Sequence, residues 1–209
     1  MIAKIPMTFN SDQWIATNSP IDAQRLHALG AVIVRWNDCE KELFVLFGEM
    51  LGLPLKEVWV IAHDLGNIAI CTKIKSLARA KNFSSAFQSA IENTLEVYDI
   101  CLQNRNQLVH FWTSGLSGDR QLYRKSKKAD YTTPELFKSD LADIRRVAED
   151  IKGLAYHMSA LEAAINTTGR GPPNSPLPSK LALPALLYSP APQAPTKQKQ
   201  KPRRPSSHA

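Results

Sequence analysis

Leu26, Leu29, Ile33, Trp36, Glu40, Leu43, Phe47 and Met50 recur at intervals of three and four along the first third of the chain. Each residue of a helix turns the chain by about 100°, so this spacing returns the side chains to one stripe. It predicts a helix from about Ile21 to Leu51, with Pro20 ahead of it and Gly52 and Pro54 closing it. One position of the stripe is Glu40, a carboxylate that is costly to bury unless paired. A second helical region covers about Leu55 to Lys81, divided by Gly66 and Asn67 into a short piece and a longer one. A third starts after Asn82, with Ser84 as its N-cap, and runs to about Thr113. Its stripe includes Ile91, Leu95, Tyr98, Leu102, Val109 and Trp112. Thr133-Pro134 opens the fourth, proline being suited to a first turn. Phe137, Leu141, Ile144, Ala148, Ile151, Ala155, Met158 and Ile165 carry it to about Thr167. Strand signals are scarce, and the expectation is an all-α protein, an antiparallel four-helix-type bundle.

Proline and charge divide the chain. Ten of the 14 prolines lie beyond residue 170, so the fold is expected to end near Thr168. The organisation expected is an N-terminal extension over 1–20, the bundle over 21–167, and a Pro-rich basic tail over 168–209, disordered or polyproline-like. The net charge is +7, and seven of the 26 basic residues lie in this tail, which has no acidic residue. That leaves 19 basic against 19 acidic residues in the body, so the excess charge belongs to an appendage. Within the tail, LALPALLY at 181–188 is an apolar island, either incidental or a segment that docks on the body or a partner. The end of the tail, TKQKQKPRRPSSHA, suits salt-dependent contact with nucleic acid or ribosomes, or simple solubility. Cys39, Cys71 and Cys101 match no zinc spacing and no disulfide framework, and are read as reduced thiols of a cytoplasmic protein. The first residues lack the apolar run of a signal peptide, and no stretch is apolar for long enough to predict a membrane span. No metal site and no cofactor are expected.

The candidate chemistry lies in QNRNQLVHFW, residues 103–112. Asn106 and His110 are four apart, about 40° from each other on the helix, so Asn106 can fix the ring of His110. Arg105 and His110 are five apart and diverge by about 140°. Arg105 points closer to Trp112 and can pack over its ring. Two groups that diverge within one helix can meet on one phosphate when two copies of the helix pair in an isologous dimer. Cleavage of RNA by its own 2′-hydroxyl needs no metal. It needs a proton-transfer group near neutrality, which His110 supplies, and donors for the crowded phosphorane, which Arg105 supplies. His110 lies near a helix C-terminus, where the dipole favours the protonated ring. The same dipole disfavours phosphate, so Arg105 has to outweigh it.

Arg105-Asn106-Gln107-Leu108-Val109-His110 resembles the motif of the HEPN superfamily of helical ribonucleases, an Arg followed by a polar residue, a short spacer and His. The resemblance covers the bundle, and its specific content is Arg105, Asn106 and His110. It implies a dimeric bundle with a composite, metal-independent hydrolase site for RNA, leaving a 2′,3′-cyclic phosphate and a 5′-hydroxyl. It also implies a toxin–antitoxin or phage-defence setting, with an antitoxin or regulatory protein as partner. Some members carry a Tyr two residues after the motif His as a modification site; here that residue is Trp112. The alternative is a noncatalytic helical module that binds nucleotide or protein.

Supporting residues complete the expectation. Glu40 and Trp112 are candidates to orient Arg105 or His110, with Glu40 at the solvent edge of its helix as the other possibility. Arg120, Arg124, Lys125, Lys127 and Lys128 form a basic loop after the motif that can guide an RNA backbone, and Tyr123 and Tyr131 can stack bases; a solvated loop is the equal alternative. His27, His63 and His157 have no partners at metal-ligand spacing.

Overall fold

The structure is a computed structural model. It describes residues 21–110, 112–113, 122–124, 135–137, 139–168 and 177–187, with Gln13, Ile15 and Thr17. The N-terminal extension otherwise lies outside the described residues, as do Arg120, Lys125, Lys127, Lys128, Tyr131 and the tail beyond Leu187. The helices are α1 (Ala23–Leu51), α2 (Leu55–Ala62), α3 (Asn67–Ala80), α4 (Ser85–Val109) and α5 (Leu141–Thr168). Between α4 and α5, three short strands pair in sequence order as an antiparallel meander: β1 (Trp112–Thr113), β2 (Leu122–Arg124) and β3 (Glu135–Phe137). Trp112 pairs with Tyr123, and Leu122 with Phe137. Apart from this meander the protein is a helical bundle, and no helix among the described residues is long and apolar enough to cross a membrane.

Local chemistry sets the helix ends. Asp22 caps α1 by accepting from the Arg25 amide at 2.8 Å. Gly52 ends it with φ of 72°, a left-handed turn that glycine adopts without strain, and the Leu53 amide closes back on the Gly48 carbonyl at 3.0 Å. Gly66 and Asn67 do divide α2 from α3, and Ser84 does cap α4, its hydroxyl accepting from the Phe87 amide at 3.3 Å. Two expected ends differ. α5 begins at Leu141, not at Thr133-Pro134, because Asp140 and Asp143 cap it reciprocally: each carboxylate accepts from the other's amide, at 2.8 and 3.3 Å. Pro134 instead precedes an extended strand, a place proline suits equally well. α4 stops at Val109, so Trp112 belongs to β1 rather than to the stripe of α4.

Cross-helix contacts fix the directions. Trp36 of α1 meets Tyr98 and Arg105 of α4, Arg79 of α3 pairs with Glu92 of α4, and Arg35 of α1 pairs with Glu149 of α5 at 2.7 Å. Asp150 lies within electrostatic reach of Cys101, and Glu162 within reach of Glu42 and Glu49. α4 therefore runs opposite to α1, α3 and α5, while α1 and α5 run parallel. The short α2 makes this possible by carrying the chain back along α1 before α3 starts. One end of the bundle thus collects the start of α1, the end of α4, the meander and the start of α5.

The core is built by Val32, Trp36, Cys39, Leu43, Leu46 and Met50 of α1 against Ile74, Ile91, Leu95, Cys101, Ile151 and Leu154. The first half of the α1 stripe is rotated by about one residue from the expected one. Val32 is fully buried, while Ile33 is 42% exposed. Cys39 takes the core position and Glu40 moves to its edge, half-buried.

Residues 177–187, inside the tail, are extended and fastened along the bundle. The Asn93 side chain brackets Leu181, donating to its carbonyl at 3.2 Å and accepting from its amide at 2.9 Å. The Asn104 side chain donates to the Ala185 carbonyl at 3.0 Å and accepts from the Leu187 amide at 2.9 Å. Arg146 of α5 donates to the same Ala185 carbonyl at 3.1 Å. Leu177, Leu181 and Leu187 pack against the core. Asn93 and Asn104 are eleven residues apart on α4, about 16 Å of rise and about 20° of rotation, so both amides share one face. Five extended residues cover about the same length, which puts strap and helix in register. The apolar island therefore docks on the body.

Candidate functional site

The last turns of α4 carry the motif. Asn104 is fully buried and spends its amide on the strap. Arg105 turns toward α1, where its guanidinium carbon lies 5.9 Å from the Trp36 ring centroid, in cation–π range. Its Nη1 donates to the Asn106 side-chain oxygen at 3.0 Å, and its Nε is buried with no hydrogen-bond partner among the described residues. Trp36 in turn packs on Tyr98, ring centroids 5.1 Å apart, and the buried Tyr98 hydroxyl also lacks a partner among them. Burial pushes the Tyr98 phenol well above its usual value, with Arg105 pulling the other way, so the hydroxyl stays neutral. Unpaired buried donors are rare, and they mark places where a ligand, water or another chain completes the arrangement.

His110 is the C-cap of α4. Its amide donates to the Asn106 carbonyl at 3.1 Å, and its side chain is exposed. Asn106 therefore orients Arg105 with its side chain and meets His110 through the backbone. The expected side-chain link from Asn106 to His110 is not present among the described residues, and the carbonyl oxygen of that side chain accepts from the guanidinium instead. Within one chain Arg105 and His110 face different ways, as their spacing requires, one against α1 and the other into solvent.

The supporting residues fall differently. The Arg105 ring partner is Trp36, and the Trp112 side chain lies outside the described residues. Glu40 accepts a hydrogen bond from the Asn67 side chain at the start of α3. It lies within electrostatic reach of Tyr98 and Cys39, so it reaches the neighbourhood of Arg105 through Tyr98 rather than by a bond of its own. Of the basic loop, Arg124 is fixed by its backbone in β2, opposite Glu135, and Tyr123 lies opposite Trp112. The meander joins the end of α4 to the start of α5, so the backbone of Arg124 belongs to the motif end of the bundle. The three cysteines are free, and burial raises Cys71 to about 11 and Cys101 to about 12, which leaves these thiols protonated and unreactive.

Trp36, Asn93, Asn104 and Arg146 do not stand out in the sequence as site or docking residues. A Trp four residues ahead of the odd Glu40 is the available signal for the first. The two asparagines share a face, but nothing in their own helix says what they bracket. Comparison with family models, with curated proteins and with solved structures gives no match.

Proposed function

We propose that the protein is a metal-independent RNA endonuclease that works as a homodimer. The observation that carries this reading is Arg105: half-buried, aimed by Asn106 and Trp36, with a buried Nε unpaired among the described residues, a turn and a half from an exposed His110. A guanidinium held this way is pre-organised for the oxygens of a phosphorane. The 2′-hydroxyl oxygen attacks phosphorus, the 5′-oxygen leaves, and His110, as the general acid, gives that oxygen its proton. The second copy's histidine takes the proton of the 2′-hydroxyl. Two copies paired at the α4 ends bring together the groups that diverge within one chain. The toxin or defence setting, with a neutralising partner protein, comes from the motif resemblance alone.

The test is RNA cleavage in EDTA by the wild type and by His110→Ala and Arg105→Ala, each checked for folding and dimerisation. Loss of at least about a hundredfold in the His110 variant, with a 2′,3′-cyclic phosphate product in the wild type, is expected. Equal cleavage by wild type and variant refutes the assignment. One observation favours a second reading, a noncatalytic module for extended peptides: the groove between α4 and α5 already holds such a segment through side-chain amides. Absence of cleavage together with capture of a partner's extended segment would favour it.

A further inference from the structure

The strap is buried with a period of three. Pro178, Leu181, Pro184 and Leu187 are half-buried, with Leu177 beside the first, and the two residues between each pair are exposed. A β-strand would turn every second residue inward. Three residues per turn is the repeat of a polyproline II helix, and two of the four inward positions are proline. Every hydrogen bond from the bundle to the strap, among the described residues, ends on strap backbone: the Leu181 amide and carbonyl, the Ala185 carbonyl and the Leu187 amide. Val97 and Ile100 lie on the same face of α4, between the two asparagines. The seat thus reads an extended backbone with an apolar residue at every third place, and nothing that belongs to this chain alone.

We propose that the seam between α4 and α5 is a binding site for a polyproline II segment of another protein, with the chain's own strap as its resident occupant. The inference goes beyond the nuclease reading and stands without it. A polyproline II helix has no internal hydrogen bonds, so its amides and carbonyls are free for Asn93, Asn104 and Arg146. Exchange of straps between two copies would remake the same bonds and give up the freedom of a second molecule, so it gains nothing. A foreign segment does gain. The strap turns Leu183 and Leu186 to solvent, 52% and 39% exposed, and only two of its eleven residues are proline. A partner richer in proline, with polar residues at the outward places, enters the seat with less conformational freedom to lose. Proline is unsuited only to the places of Leu181 and Leu187, whose amides donate to Asn93 and Asn104.

The probe is a fluorescent peptide of residues 177–187, LPSKLALPALL. In a full-length variant, a Gly-Ser run of the same length replaces the strap and vacates the seat. The peptide is expected to bind this variant at least about tenfold more tightly than the unaltered chain, where the tethered strap competes at about millimolar effective concentration. Adding Asn93→Ala and Asn104→Ala to the variant is expected to weaken binding at least about tenfold. A peptide with Ala182→Pro and Ala185→Pro keeps both donor amides and is expected to bind at least about fourfold more tightly, because proline pre-forms the bound conformation. The unaltered chain gives a reading that needs no variant. Peptide at about 2 mM is expected to speed hydrogen exchange at the resident Leu181 and Leu187 amides at least about fivefold, as the strap is displaced. No binding to the vacated seat, with no release of the strap from the unaltered chain, overturns the site. Weaker binding of the proline-rich peptide overturns polyproline II in favour of a β-strand. A heterodimer of the vacated variant with an intact copy, in a seat that ignores free peptide, overturns the foreign partner in favour of strap exchange.

Discussion

Truncating Asn104 isolates the bond pair that holds the end of the strap. Asn104→Ala removes a donor to the Ala185 carbonyl at 3.0 Å and an acceptor for the Leu187 amide at 2.9 Å. Each is worth about 1 kcal/mol net, and the fully buried side chain adds the cost of the space it leaves, so the strap loses about 2–3 kcal/mol. The Ala185 carbonyl keeps its bond from Arg146, but the Leu187 amide has no other partner among the described residues. The strap is peripheral and can open without the core, so the loss appears first as local opening. Native-state hydrogen exchange at the Leu187 amide is expected to speed up about 30- to 150-fold, while the urea midpoint of the whole domain moves less than the full loss implies. Asn104→Asp sharpens the test. Its carboxylate still accepts from Leu187 but meets the Ala185 carbonyl with like charge, and protonation restores a donor. Strap protection in that variant is expected to rise as pH falls, opposite to the usual acid weakening of a carboxylate contact. Unchanged exchange at Leu187 in Asn104→Ala would falsify the bracket as the force that holds this segment.

Two further outcomes depend on the packing. Gly48→Ala puts a Cβ 2.9 Å from the Val58 Cγ2 and 3.1 Å from the Leu53 carbonyl oxygen, so α2 has to move away from α1. A loss of about 1–3 kcal/mol in urea unfolding is expected, and wild-type stability would show that α2 is held less closely than these distances require. His157 is 7% exposed with Nε2 unpaired among the described residues, and burial lowers its pKa, so the folded state prefers the neutral ring while the unfolded state titrates near about 6.5. Its contribution is therefore intact above about pH 6.5 and lost as pH falls through that value toward the lower folded pKa. Stability measured at about pH 7.5 and about pH 5 should diverge in the wild type and less so in His157→Met; equal divergence sinks the assignment.

The helix ends that the sequence disclosed are those where a residue has a local job. Gly52 takes a left-handed turn, Ser84 caps, and Gly66 with Asn67 interrupts. Where a residue suits two jobs, the sequence was silent. Pro134 fits a first turn or a strand edge, and Val32, Ile33 and Val34 offer three adjacent apolar columns, so periodicity alone does not decide which faces the core. At the candidate site, the divergence of Arg105 and His110 could be read from their spacing. The ring beneath Arg105 could not, because Trp36 arrives from a helix some seventy residues before it in the chain. Likewise LALPALLY was visible as an apolar island, but its seat depends on two amides whose meaning exists only once α4 and α5 lie side by side.

The strap also sets a schedule. Asn104 and Leu187 are 83 residues apart, so at about 5–20 residues per second a ribosome makes the helix face about 4–17 s before the segment that covers it. A nascent chain can form the α3–α4 hairpin and close its core against α1 with both asparagines facing water. α5 then supplies the second wall and Arg146, and the strap arrives last. Synthesis thus passes through a bundle with an open seam, which closes on a segment made after all five helices.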